Sequence, residues 1–251
     1  MIYFGGKQRL GKHIAKFILS ILSTSKYKKA YLEPFCGALG VMQNIVAADR
    51  FERHYAYDIH PDLILMWNGL KRGSFKPPKT TARRTWLRLK NQKKKSALRA
   101  FAGFGVSFNG VFFASYASKK NTDIAGAAYR SLMKVKPLLK KIQFKRVDYT
   151  KIPMPKGYVI YCDPPYKFDR TRNTYTHFSG FDHDTFWALM RKWSKHNIVL
   201  ISEEETNAPK DFKCVWKYKV KRSMGTHTNT TGRTTKTVYD CLFMYKYGKS
   251  I

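Results

Sequence analysis

The chain has 251 residues, enough for one large domain or for a domain carrying an insertion. Its 48 Lys and Arg stand against 16 Asp and Glu, a formal net charge of +32, which exceeds what solubility needs and points to a polyanionic partner. An apolar content of 43% argues against disorder. The absence of any apolar run of about 18 residues, and of a clean basic amphipathic helix, favours nucleic acid over an anionic membrane as that partner.

The opening "MIYFGGKQRL" lacks the apolar stretch of a secretory signal. Residues 10–24 carry apolar side chains at helical spacing and predict an amphipathic helix. "KKAYLEPFCGALGVMQNIVAA" follows, reading as a short strand, a Gly-containing turn and a helix that begins near Leu39. "HYAYDIHP" predicts a second short strand closed by an acid and a His-Pro turn, and "DLILMWNGL" a helix after it. Strand, Gly turn, helix, strand and acid open a nucleotide-binding α/β fold.

The pattern then breaks. No Asp or Glu occurs between Asp62 and Asp123, whereas Lys71 to Arg99 holds twelve Lys or Arg. "FAGFGVSFNGVFFASYASKKNT" comes next, with "FNG" as a hairpin-type turn between apolar runs. Residues 70–145 therefore read as an inserted, mostly helical module with a β-hairpin, whose basic face suits phosphate contacts. Residues 1–69 and 146–251 form the enclosing domain, in which "IQFKRVDY" resumes the α/β pattern. "KGYVIYCDPPY", a helix over "DHDTFWALMRKWSKH" and the buried strand "NIVLIS" continue it. "VWKYKVKRSM" and "TKTVYDCLFMYKY" read as a closing antiparallel pair joined by a polar linker. Cys36, Cys162, Cys214 and Cys241 are scattered without metal-ligand spacing. They read as reduced thiols in an intracellular setting, bacterial or phage- or virus-infected, and no metal is expected.

Two stretches carry chemistry. In "EPFCGALG" (33–40) a glycine at a strand's carboxyl end lets backbone approach a ligand at the switch point of an open parallel sheet. Asp58 closes the next strand, where a carboxylate can accept both hydroxyls of a ribose. No phosphate-cradling G-x-x-x-x-G-K-[ST] is present, which leaves room for a cofactor without phosphate, such as S-adenosylmethionine.

The second stretch is "YCDPPY" (161–166). An exocyclic amine on a nucleobase is a poor nucleophile because its lone pair is delocalised into the ring. Two acceptors aimed at its protons draw the nitrogen toward sp³ geometry. The Asp163 carboxylate and the Pro164 carbonyl can serve as those acceptors on a proline-stiffened turn. Tyr166 can stack on the base, as pockets for extruded bases require. The alternative is a plain turn, a reading weakened by the Gly loop, Asp58 and the basic insertion standing in the expected order.

These motifs resemble those of the Dam-like (D12 class) DNA N6-adenine methyltransferase family. "YFGGK" (3–7) resembles its aromatic-x-Gly-Gly-Lys motif and "EPFCGALG" its cofactor loop. "YDIHPDLI" resembles its second acidic motif, "YCDPPY" its catalytic signature, and "KRSM…TVYDCLFMY" its closing strands. The resemblance implies a Rossmann-like methyltransferase sheet with an inserted target-recognition domain. It implies S-adenosyl-L-methionine as cofactor, double-stranded DNA as partner and N6-methyladenine as product. Catalysis then falls to Asp163, Pro164 and Tyr166. Cofactor contacts fall to Tyr3, Lys7, Asp58 and Asp163, with Glu33, Phe35, Gly37 and Asp148 shaping the pocket. For Asp148 a turn-stabilising role stands beside adenosine contact. The nucleic-acid contacts expected in the insertion are Arg83, Arg84, Arg88, Lys93, Lys94, Lys95, Asn109, Tyr116, Lys119 and Lys120.

The chain departs from the family at one point. Members that methylate GATC carry an arginine shortly after the "FNG" position, and here the stretch reads "VFFASY". Ser115, Tyr116, Lys119 and Lys120 are the candidate replacements as base readers, and the recognition sequence stays open. RNA as substrate, or a basic binding protein with a vestigial site, are the competing readings of the chain.

Overall fold

The computed structural model describes residues 1–22, 29–119, 122–166, 180–223 and 235–248. Lys120, the segment "KFDRTRNTYTHF" (167–178) and most of the linker "GTHTNTTGRTT" lie outside the described residues. Seven strands form one sheet: β1 (Ala30–Glu33), β2 (Arg53–Asp58), β3 (Ile142–Arg146), β4 (Val159–Cys162), β5 (Ile198–Glu204), β6 (Phe212–Ser223) and β7 (Thr235–Tyr245). Their order is β3-β2-β1-β4-β5-β7-β6. The first five run parallel, and β7 lies antiparallel to both β5 and β6. This is the expected Rossmann-like α/β sheet. The chain moves outward from β1 to β3 and then crosses back to β4, so the switch point falls between β1 and β4.

The two-residue period of a strand sorts the core into two layers. Tyr31, Val159, Tyr161, Ile198, Leu200, Leu242 and Met244 face one buried cluster. Their neighbours Leu32, Ile160, Cys162, Val199, Ile201, Cys241 and Phe243 face the other. Helices α1 (Gly11–Ile21), α2 (Met42–Ala48) and α3 (Pro61–Arg72) supply the first layer. The second is closed by the connection between β4 and β5, where α7 (His183–Ser194) contributes Phe186, Trp187, Met190 and Trp193. Continuous apolar runs such as "NIVLIS" arise because both faces of these strands are covered.

Local signals set the helix ends. In α3, Pro61 opens the first turn, the His60 ring accepts from the Leu63 N–H, and Gly73 at φ 76° ends the helix. α2 begins at Met42 and not near Leu39, because Leu39 sits at φ 59° in a turn closed by its N–H to the Cys36 carbonyl at 2.8 Å.

The connection between α3 and β3 contains α4 (Arg83–Asn91), α5 (Ala97–Ala100) and α6 (Ile124–Val135), with a wider π-helical turn over Phe101–Gly105. It is mostly helical, as expected, but the predicted hairpin is absent among the described residues. "FNG" forms a short 3-10 turn with Asn109 at φ 53°, and one isolated antiparallel bridge joins Ser107 to Tyr116. The N-terminal arm competes for that backbone. Phe4 N–H donates to the Gly110 carbonyl at 3.2 Å, and a Cβ on Gly110 would lie 2.7 Å from the Tyr3 backbone. Trp86, Leu89, Phe101 and Phe113 of the connection join the same buried cluster as Leu63 and Met66 of α3. No described helix is long and apolar enough to cross a membrane.

Candidate active site

The carboxyl ends of β1, β2 and β4 converge on one edge of the sheet, and the N-terminal arm lies across it. Gly40 makes that close approach possible, since a Cβ there would sit 2.8 Å from the Lys7 carbonyl carbon. Gln8 Nε2 donates to the Ala38 carbonyl, and the Tyr3 ring covers Gly37, where a Cβ would meet it at 3.0 Å.

The loop after β1 is held at the Gly37 peptide from two sides. Asp58 Oδ2 accepts from the Gly37 N–H at 3.0 Å, and Trp67 Nε1 donates to the Gly37 carbonyl at 3.0 Å. Gly37 takes φ 44°, a conformation that glycine adopts without penalty. Asp58 Oδ1 accepts from the His60 N–H at 2.9 Å, so this carboxylate ties the β1 and β2 loops together. Burial raises the Asp58 pKa, and the backbone N–H groups oppose that rise. A carboxylate has about four lone-pair sites, so it retains acceptor capacity toward a ribose.

Lys7 and Asp163 meet at the switch point. Lys7 Nζ donates to Asp163 Oδ1 at 2.7 Å, with side chains only 9% and 16% exposed. The same ammonium lies 4.6 Å from the centre of the Tyr166 ring, a cation–π distance. Burial pushes the Asp163 carboxyl upward and the adjacent Lys7 charge opposes it. Burial would lower Lys7, but Asp163 and Tyr166 more than offset this and its pKa is raised. Tyr166 Oη is buried beside the pair, within hydrogen-bonding reach of both Lys7 and Asp163, and burial raises its pKa.

Glu33 lies beneath this edge, fully buried, and accepts from the Tyr31 hydroxyl at 2.8 Å. Burial raises its pKa to about 8, so it is protonated at neutral pH. Phe35 packs against Tyr149 and Phe186, with centroids at 5.1 and 5.9 Å. Asp148 accepts from the Thr150 N–H and hydroxyl at 2.9 and 2.8 Å, which is the turn-stabilising role.

Sequence reasoning missed two nearby acids. Glu203 on β5 is buried with its pKa raised to about 7, first by burial, with the Asp163 charge adding to the rise. Asp240 on β7 pushes both Asp163 and Tyr166 upward. The acids that end "NIVLISEEE" were a legible signal for Glu203; a single acid within the β7 run gave none for Asp240. Among the described residues no group of three or more His, Cys, Asp or Glu is arranged to hold a metal.

In the insertion, Arg83, Arg84, Arg88, Lys93, Lys94, Lys95, Asn109, Ser115 and Lys119 are exposed, whereas Lys120 lies outside the described residues. Tyr116, a candidate base reader, is half-buried. Its hydroxyl donates to the Thr81 carbonyl at 2.8 Å and its ring packs 6.1 Å from that of Trp86.

S-adenosylmethionine, the cofactor that the resemblance implies, fits this edge in its donor chemistry. The cofactor brings a sulfonium, an ammonium and two ribose hydroxyls to a site with acceptor capacity at Asp58 and Asp163.

Comparison with solved structures finds distant likenesses. A putative RNA methyltransferase from Pyrococcus horikoshii is 8% identical with a TM-score of 0.42, covering 94% of this chain and 82% of that one. A precorrin 8W decarboxylase from Methanobacterium thermoautotrophicum is 10% identical with a TM-score of 0.38, covering 92% and 88%. A putative methylase from Haemophilus influenzae is 10% identical with a TM-score of 0.39, covering 92% and 86%. Comparison with curated proteins gives no match. The family comparison reaches from the Tyr3 that roofs Gly37 to the Arg99 that enters the insertion: residues 3–99 match the D12 class N6 adenine-specific DNA methyltransferase family.

Proposed function

We propose that this protein transfers a methyl group from S-adenosylmethionine to the N6 amine of an adenine extruded from duplex DNA. The observation that carries the reading is the Lys7–Asp163 contact at the β1/β4 switch point, with Tyr166 against the same ammonium. When bound, the cofactor supplies an electrophilic methyl group, so the chain's own task is to present the amine. Asp163 and the Pro164 carbonyl accept its two N–H groups, and the proline pair holds their spacing. Tyr166 supports the base face. Lys7 opposes the rise that burial imposes on the Asp163 pKa. Asp58 accepts the ribose hydroxyls while Tyr3, Phe35 and Gly37 shape the pocket around them. Glu33 holds the floor in its neutral form. Arg83, Arg84, Arg88 and Lys93 to Lys95 face solvent from the insertion and supply phosphate contacts.

The test is methyl transfer from labelled cofactor to duplex DNA and to matched RNA, followed by nucleoside analysis. N6-methyladenine in DNA is the expected product. Turnover confined to RNA, or N4-methylcytosine as product, overturns the assignment. Calorimetry that detects no S-adenosylmethionine binding overturns it as well.

A further inference from the structure

The second side of the sheet is covered unevenly. Over β4 and β5 it lies beneath α7, where Cys162 Sγ donates to Met190 Sδ at 3.6 Å. The connection between β3 and β4, residues 147–158, holds only the 3-10 turn Tyr149–Lys151 and lays no helix over β2 and β3. The strands record the difference. Ala56 and Ile142, on the side of α3, are buried. On the opposite side β2 presents Arg53, Tyr55 and Tyr57, and β3 presents Gln143 and Lys145, with Tyr55 paired to Gln143 and Tyr57 to Lys145. Arg53, Gln143 and Lys145 are exposed and both tyrosines are half-buried. Tyr158, just before β4, joins them. Its ring stacks on that of Tyr55 at 5.8 Å and 9°, and the Tyr57 ring lies 6.0 Å from Tyr55. The Tyr55 and Tyr158 hydroxyls are within hydrogen-bonding reach of each other, and the Arg53 charge acts on Tyr158. Cations and rings therefore share one open patch.

We propose that this tyrosine and cation face of β2 and β3 binds a single-stranded segment of nucleic acid. The inference goes beyond the methyl-transfer reading and does not depend on it. The residues that β2 and β3 turn to this side are two cations, two tyrosines and an amide, with no acid among them. Rings stack on the flat surface that every base carries, and cations take the phosphates, so such a face holds unpaired nucleotides with little regard to sequence. A duplex engages the cations alone, because its bases are already stacked on one another. A second copy docked by a two-fold contact would set Arg53 and Lys145 against the same cations, and an apolar partner would bury them without a counter-charge. Strand alternation separates this face from the catalytic edge. Tyr57 turns toward it, while the next residue, Asp58, turns to the other side and holds the Gly37 N–H.

The tests use the full chain without S-adenosylmethionine, and an oligothymidine, which brings no adenine to the catalytic edge. In the first, the oligothymidine carries 5-iodouracil, is irradiated with the protein, and the adducts are mapped by mass spectrometry. Adducts at Tyr55, Tyr57 or Tyr158 are expected, and adducts confined to other residues overturn the proposal. In the second, the Arg53→Glu, Lys145→Glu double variant is compared with Lys12→Glu, Lys16→Glu, an equal change of charge at exposed positions of α1 on the other side of the sheet. The first pair is expected to weaken oligothymidine binding at least about fivefold more than the second, and to lower the salt slope by roughly 0.7 for each phosphate no longer neutralised. Equal weakening by the two pairs overturns the proposal. Tyr57→Leu keeps an apolar side chain and removes the ring. It is expected to weaken oligothymidine binding about fivefold or more while changing duplex binding less than about twofold. A dimer in sedimentation that Tyr57→Leu dissolves assigns the face to a second copy and overturns the proposal. Methyl transfer to duplex by a chain that gives no adducts at these tyrosines refutes the face alone. Adducts in a chain that transfers no methyl group keep the face and refute only the catalytic reading.

Discussion

Lys7 donates a hydrogen bond to Asp163 across 156 residues of sequence, joining the N-terminal arm to the turn after β4. A carboxylate taken from water to this degree costs free energy unless an opposite charge accompanies it. Lys7 is that charge. Removing it with Lys7→Met leaves Asp163 buried without its cation and raises its pKa further. The acidic limb of the kcat/KM profile for methyl transfer is expected to move to higher pH. Activity lost near pH 7 then returns in part at higher pH. A uniform loss at every pH would show that Lys7 acts other than through Asp163.

Asp163→Ala removes the acceptor itself. Methyl transfer is expected to fall by about a thousandfold or more, the scale for removing a preorganised electrostatic interaction from an active site. Affinity for duplex DNA, read by fluorescence anisotropy, is expected to persist because phosphate contacts supply most of it.

Glu33 predicts a pH dependence of stability with a definite sign. Its pKa is raised by burial from 4.5 to about 8 in the folded protein, so folding takes up a proton. The stabilisation is complete below about pH 4.5 and is lost as pH rises through about 8. Glu33→Gln cannot ionise. The urea midpoint of the wild type is expected to fall relative to this variant between pH 5 and 9, and a constant difference would contradict the assignment.

Not all members of the basic run do the same work. Arg99 is 7% exposed, pairs with Asp62 at 3.6 Å and stacks over Phe112 and Phe113 at 5.4 and 5.0 Å. Arg99→Ala strands the buried Asp62 and is expected to destabilise the fold by about 3–5 kcal/mol in chemical denaturation. Lys93, Lys94 and Lys95 are exposed. Reversing all three is expected to leave stability within about 1 kcal/mol, and to lower the slope of log K against log salt by roughly 0.9 for each phosphate no longer neutralised.

The sequence by itself determined the alternation of strand and helix, the closing antiparallel pair, and the presence of an acid and a proline turn at strand ends. Those features depend on neighbours a few residues apart, where side-chain periodicity and backbone stiffness act directly. It also carries the formal net charge of +32 on which the proposal of a polyanionic partner rests, because net charge needs no folding to be counted. Only the tertiary structure decided which charges belong to the site. Lys7 stood out in the sequence only through the resemblance of "YFGGK", and its pairing with Asp163 appeared once the arm was laid across the sheet edge. Arg99 read as part of the basic run suited to phosphate contacts until its burial against Asp62 made it structural. The hydrogen bond from the Tyr116 hydroxyl to the Thr81 carbonyl appeared only with the fold, and "FNG" read as a hairpin until the arm occupied Gly110. Glu203 and Asp240 entered the neighbourhood of Asp163 through strand order alone. In each case the deciding quantity is distance between residues remote in the chain. Desolvation and Coulomb energy depend on that distance, and no local pattern encodes it.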